Sequence, residues 1–342
     1  MEIDRIDALR GLLCTAIFVF HYMHGSPMGT SALYQFLRKT ADQGTYAVQV
    51  FFALSGLLIF NSYSRSIFLK EKNRRLTFYL KRIFRIYPAW GVALLGFAYY
   101  YHADLTTYFW NFFFLFGLKP FRFEEILALH AWTLYVEEMF YILFPFLIFI
   151  YRKGWTIYAY VLFLLLEVVT KAAPLYSNGH FYYNPFNTFE FFFWGMLAYF
   201  FLPQLRKIRV SRILFYLCLA GVVLMSCTYT TALLIEAYVV FSFLILFAAP
   251  KEFSDVFLFL FRSTGRLCYS FYLVHPLAVI VAIKIFPFST EQVTDPTGIS
   301  FFAHFFVTYL TVYGLAIPLY FFVERPFIDL GKKWTARLSE RF

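Results

Sequence analysis

Arg10 and His21 bracket an apolar run, Arg10-Gly-Leu-Leu-Cys-Thr-Ala-Ile-Phe-Val-Phe-His21, in which nothing else is charged. Arginine is a permanent cation, and histidine is the side chain whose ordinary pKa lets it take and give a proton near neutrality. As a helix, eleven steps place the two about 16 Å apart and about three turns along, so both face broadly the same side. They can hold two ends of one extended ligand. The plainer alternative is a snorkelling arginine and a hydrogen-bonded core histidine. A second group of ionisable residues lies in Trp132-Thr-Leu-Tyr-Val-Glu137-Glu138-Met-Phe-Tyr141. Two adjacent carboxyls in an apolar stretch cannot both face hydrocarbon without a large cost, so one should meet a partner. Glu137 or Glu138 orienting and charging His21 as a general base is one such partnership, and an ion pair that serves only helix packing is the other.

Further polar residues extend the candidate list. His275 lies in Phe271-Tyr-Leu-Val-His-Pro276, where the proline also interrupts the helical hydrogen-bond ladder, and it is a candidate for lining a cavity. Ser55 and Gly56 sit together in Phe51-Phe-Ala-Leu-Ser-Gly56, a small pair that favours close helix approach. Glu324-Arg325-Pro326 follows the last apolar run, as a capping ion pair or a ligand contact. Glu167, Glu190 and Glu236 each stand alone as candidate cavity-lining groups. Lys70, Lys72, Arg74, Arg75, Lys81, Arg82 and Arg85 form a basic stretch that anchors anionic lipid headgroups or docks a polyanionic ligand. Gly-x-Ser-x-Gly, Walker, His-Glu-x-x-His and Cys-x-x-Cys patterns do not occur, so ordinary hydrolase, ATPase and metal chemistry lacks a sequence basis.

The elements that must position these residues follow from composition. The 342 residues are 61% hydrophobic and only 15% charged, with 49 Phe and 27 Tyr spread along the whole length. Mean hydropathy is +0.64. Soluble domains are about a quarter charged, so these values indicate an all-α integral membrane protein and exclude a disordered chain. Apolar windows of about 20 residues fall near 6–24, 45–62, 84–103, 130–151, 154–173, 183–202, 211–229, 231–249, 267–287 and 300–323. That reading gives about ten transmembrane helices in a single polytopic domain spanning 1–342. Residues 106–118 are apolar but too short for a helical crossing and are expected to form an interfacial or re-entrant segment. With the N-terminus inside, 24 of the 30 Lys and Arg fall on the inner side, which places both termini in the cytoplasm. The net charge of +10 is then explained without nucleic acid.

The N-terminal run is not read as a cleaved signal peptide, because His21, Tyr22 and His24 occupy the place of a small-residue cleavage site. Cys14, Cys218, Cys227 and Cys268 lie in or at the ends of apolar segments, without the spacing of a disulfide framework or a zinc site.

Taken in order, Arg10 with ten residues to His21, Phe51-Phe-Ala-Leu-Ser-Gly56, Arg82-Ile-Phe-Arg85-Ile-Tyr-Pro88, Trp132-Thr-Leu-Tyr-Val-Glu137-Glu-Met-Phe-Tyr141 and Val323-Glu-Arg-Pro326 resemble the acyltransferase 3 family of bacterial membrane O-acyltransferases. The resemblance covers almost the whole chain. It implies an inner-membrane enzyme that moves an acyl group, commonly acetyl, from cytoplasmic acyl-CoA to a hydroxyl of a surface or exported carbohydrate. On that basis His21, Glu137, Glu138 and Arg10 are the expected catalytic residues, and Arg82, Arg85, Tyr87 and Arg325 the expected residues for the acyl-CoA co-substrate. No metal is expected. The expected partners are a carbohydrate or lipid-linked glycan acceptor, membrane lipids and separate glycan-assembly proteins. Some family members carry a C-terminal extracytoplasmic SGNH domain, and none is expected here because about 19 residues follow the last span. A transporter or flippase for a glycan or lipid-linked substrate would share the hydropathy and the buried ionisable residues, and inverted repeats, its usual mark, are not seen.

Overall fold

The computed structural model describes residues 3–25, 31–68, 73–118, 126–152, 188–228, 232–285 and 299–340, with isolated positions between 154 and 185. Among these residues every regular element is helical: α1 (Ile3–Gly25), α2 (Ala32–Ala41), α3 (Ala47–Phe68), α4 (Arg74–Tyr100), α5 (Leu105–Phe112), α6 (Trp132–Arg152), α7 (Phe189–Phe200), α8 (Arg212–Thr228), α9 (Ala232–Ala248), α10 (Lys251–Arg266), α11 (Cys268–Ile285), α12 (Ile299–Leu319) and α13 (Arg325–Glu340). A 3-10 turn, Asp42–Tyr46, joins α2 to α3, and a π turn, Tyr320–Glu324, joins α12 to α13. Helices are what apolar chains form in lipid, because each backbone N–H and C=O must be satisfied within the segment.

Five stretches among the described residues are long and apolar enough to cross a membrane: Asp4–Gly25, Ala32–Ile67, Leu129–Phe149, Cys268–Ile285 and Ser300–Leu338. The expected span at 154–173, with Glu167, lies largely outside the described residues, as does the start of the one at 183–202; the windows at 183–202, 211–229 and 231–249 hold shorter apolar helices, and the others overlap the longer helices. The short segment at 106–118 is α5 followed by a single 3-10 turn, Leu115–Leu118. Eight helical residues rise about 12 Å, well short of the hydrocarbon thickness. Its ends are fixed locally. Asp104 accepts a hydrogen bond from the Thr107 N–H at 2.7 Å, and Phe114 adopts a left-handed φ of 55° that stops the helix. The Asp104 carboxyl is held below the usual aspartate range by that backbone N–H. Asn111, fully buried, accepts from the Leu127 N–H at 3.0 Å and so ties α5 to the segment leading into α6.

Two of the stretches whose basic residues enter the inner-side count, from Lys251 to Arg266 and from Arg325 onward, are helical. Both α10 and α13 carry apolar and charged faces side by side, a pattern that a tally of basic residues does not reveal.

The chain divides into two compact units, one of residues 1–51 and 201–321 and the other of residues 52–200 and 322–342. In the first, α1 and α10 meet at two glycines. A Cβ on Gly11 would overlap the Phe261 carbonyl, and one on Gly265 would overlap the Asp7 carbonyl. Asp4 pairs with Arg262 at 2.7 Å beside this crossing. Cys14 faces Cys268 and His21 faces His275, both at an offset of 254 residues, so α1 and α11 run in the same direction. Against α12 the order is reversed, with Tyr22 at His304 and Phe18 at Tyr309. Phe18 is fully buried against Phe271, Phe305 and Tyr309, and tilted ring contacts of this kind add about 0.5–1.5 kcal/mol each beyond area burial.

In the second unit, α3 and α7 also meet at glycines, Gly56 against the Phe192 carbonyl and Gly195 against the Ala53 carbonyl. Phe52 lies on Trp132, Ser55 on Glu137 and Tyr63 on Phe144, so α3 and α6 run in the same direction. Opposed to α6 is α4, with Phe97 at His130 and Phe78 at Tyr141. α13 packs on α4 at Gly331, where a Cβ would meet the Phe84 side chain.

Candidate active site

His21 sits two turns beyond Cys14 on α1, and its ring is held from one side. Its Nδ1 lies 3.1 Å from the Ile17 carbonyl oxygen, one turn back on the same helix. The same Nδ1 lies 3.0 Å from Nε2 of His275 on α11. The two rings are tilted at 43° with centroids 4.9 Å apart. His275 is buried, and its own Nδ1 lies 2.6 Å from the Tyr272 carbonyl oxygen. The opposite nitrogen of His21, Nε2, has no hydrogen-bond partner among the described residues. Arg10 is half-buried on the same helix, where its charge acts on the Asp7 carboxyl. Below the imidazoles, the Cys14 and Cys268 sulfurs approach to 2.8 Å, both buried.

Glu137 lies in the second unit, where α3 and α6 close on it. Its Oε1 accepts hydrogen bonds from the Ser55 hydroxyl at 3.0 Å and from the Tyr141 hydroxyl one turn along α6. Ser55 therefore does more than permit close packing: it donates to a carboxylate. Glu138 is part-buried, and its Oε1 is buried with no hydrogen-bond partner among the described residues. It interacts electrostatically with Glu137 and Arg82.

Arg82 lies over aromatic rings, with its guanidinium carbon 5.5 Å from the Phe78 centroid and 5.2 Å from that of Tyr141. Such cation–π contacts are worth about 0.5–2 kcal/mol. The Arg82 Nε is buried without a hydrogen-bond partner among the described residues. Arg85 is half-buried one turn further along α4 and acts electrostatically on the Tyr141 hydroxyl. Tyr87 is half-buried between the Phe112 and Phe114 rings. Arg325 opens α13 on the exposed side, where its charge acts on Asp329.

Arg82, Glu137, Glu138 and Tyr141 are thus brought together within one unit, and His21 is brought to His275 within the other. The pairing of His21 with His275 is the feature that sequence reasoning missed. Its trace is the repeated spacing, Cys14 to His21 and Cys268 to His275, seven residues each. The bond of Tyr141 to Glu137 was likewise not anticipated, and its signal in the sequence is the four-residue spacing of the two.

A family model described as an acyltransferase domain, Acyl_transf_3, matches residues 3–321. No curated protein and no solved structure matches the chain.

Proposed function

Because the chain belongs to the acyltransferase 3 family, with residues 3–321 matched, we propose that it is a membrane-bound O-acyltransferase that moves an acyl group, acetyl in the simplest case, from cytoplasmic acyl-CoA to a hydroxyl of a cell-surface or exported carbohydrate. The observation that carries this reading is an imidazole inside a membrane-spanning helix of a family acyltransferase, held through one ring nitrogen and open at the other. His21 is the general base. Its Nε2 takes the proton of the acceptor hydroxyl as that oxygen bonds to the thioester carbonyl carbon. The carbon–sulfur bond breaks, and the imidazolium returns the proton to the departing sulfur.

The residues present fit a polyanionic donor. Arg85 and Arg325 offer cationic donors to phosphate, and the unsatisfied Arg82 Nε and Glu138 Oε1 are polar atoms that a bound substrate can complete. Tyr87, which interacts electrostatically with Glu138, supplies a further hydroxyl, and Arg10 a cation on the helix that carries the base. Glu137 and Glu138 are the proposed catalytic carboxyls. The proposed location is the bacterial inner membrane, with both termini cytoplasmic, and the acceptor is a carbohydrate or lipid-linked glycan.

The test is acyl-CoA consumption by the purified protein in lipid, with a panel of acyl donors and acceptor glycans. His21→Ala should lower turnover by at least about 100-fold, the usual contribution of a general base. Arg85→Ala should raise the KM for acyl-CoA. If no preparation binds or cleaves any thioester while vesicles containing the protein move a glycan or lipid, the enzyme reading fails in favour of a transporter.

A further inference from the structure

The imidazole pair carries a chain of deductions that starts from one proline. In a helix the N–H of residue 276 would bond to the carbonyl of residue 272. Residue 276 is proline and has no N–H, so the Tyr272 carbonyl is released from the ladder of α11. That carbonyl lies 2.6 Å from His275 Nδ1. A carbonyl oxygen only accepts, so His275 Nδ1 must carry the proton. The neutral His275 ring then presents a bare, accepting Nε2.

His275 Nε2 is the atom that lies 3.0 Å from His21 Nδ1, and the Ile17 carbonyl oxygen, another acceptor, lies 3.1 Å from the same nitrogen. Two acceptors converge on His21 Nδ1, so it too must carry its proton and share it between them. The lone pair of His21 then resides on Nε2, the nitrogen with no partner among the described residues.

We propose that His275 is the positioning residue of the acyl transfer: together with Pro276 and the Tyr272 carbonyl, it holds His21 in the Nδ1–H tautomer and orientation that leave Nε2 as the base. This rests on the reading of His21 as general base. When Nε2 takes the acceptor's proton, His21 becomes an imidazolium whose Nδ1–H still points at the His275 lone pair. Its charge is met by an acceptor already in place. A neutral imidazole thereby fills the orienting role that a carboxylate often plays beside a catalytic histidine.

Four variants in lipid bilayers test this: His275→Phe, which keeps a ring but offers no acceptor, His275→Gln, which restores an acceptor of similar reach, Pro276→Ala, and His21→Ala as reference. Two readouts are taken, kcat and KM for acyl-CoA, and the tautomer of His21 by nitrogen-15 solid-state NMR, assigned by subtraction of the His21→Ala spectrum. His275→Phe should lower kcat by about 10- to 100-fold, the usual cost of losing an orienting partner, with KM unchanged. The His21 signal should broaden or split, and His275→Gln should recover part of both losses. Pro276→Ala restores an N–H that competes for the Tyr272 carbonyl and should show a smaller change of the same kind. An unchanged kcat and an unchanged tautomer in His275→Phe would overturn the proposal while leaving the loss in His21→Ala intact. If His21→Ala kept full turnover, the general-base reading itself would fail and this proposal with it. Should His275→Phe not fold, the wild-type spectrum decides: a His21 proton on Nδ1 supports the proposal, and one on Nε2 overturns it.

Discussion

At the imidazole pair, in the proposed tautomers, donation runs from His21 through His275 to the Tyr272 carbonyl, His21 also donates to the Ile17 carbonyl, and the lone pair of His21 Nε2 is left over. At the carboxyl cluster the account does not close. Glu137 is bonded by Ser55 and Tyr141, yet its neighbour Glu138 and the Arg82 Nε keep buried polar atoms with no hydrogen-bond partner among the described residues. Buried polar groups left in that state cost about 1–3 kcal/mol each. The difference separates two strategies for polar groups among apolar helices. The first cluster meets its polar atoms with its own residues, and the second keeps buried polar atoms that none of the described residues bonds.

The contrast can be broken in three ways. The largest effect should come from the glycine crossings that both units share. Gly265→Val in the first unit and Gly195→Val in the second each drive a side chain into a backbone carbonyl, at about 3 kcal/mol, the upper part of the usual overpacking range. Thermal unfolding in detergent should show a loss for each. A tolerated valine at either site would mean that the helices there are not held at contact. Next in size, Glu138→Met removes an unsatisfied oxygen while keeping side-chain volume. It should raise the unfolding temperature, by up to about 2 kcal/mol of stability, while lowering turnover. A loss of stability would show that Glu138 is already satisfied, and the contrast with the imidazoles would dissolve. The smallest effect concerns Asp104, outside both sites. The Thr107 N–H lowers its folded pKa, so the cap on α5 contributes fully above the ordinary aspartate pKa and is lost as pH falls through the lowered folded value. Amide exchange at Thr107 should quicken over that acidic range and should be fast at every pH in Asp104→Ala.

Much of the helical frame was legible because hydrocarbon solvent permits few alternatives. A run such as that from Gly11 to Phe20 must be a helix if it lies in lipid, whatever it packs against. The short piece at 106–118 was legible for the same reason, through length alone. Helices α10 and α13 were not, because their charged faces read as loop once basic residues are merely counted. Arg10, His21, Glu137 and Glu138 stood out by cost, as ionisable residues in apolar surroundings. Their immediate partners did not. That His21 meets His275 is a matter of register between helices 254 residues apart, which no local pattern encodes. The His-Pro pair was visible, but its meaning depends on which carbonyl the proline releases and which ring nitrogen then turns toward it.

The shared offset of the Cys14–Cys268 and His21–His275 pairs makes the thiols a caliper for the imidazoles. The two pairs are seven residues apart, about 10 Å along the same two helices. A slip of α11 along α1 by even one residue would part the sulfurs and the rings together, since neither pair can shift alone while both helices stay straight between them. Crosslinking of the two cysteines by a short thiol reagent therefore gauges whether the imidazoles are in step without touching either ring.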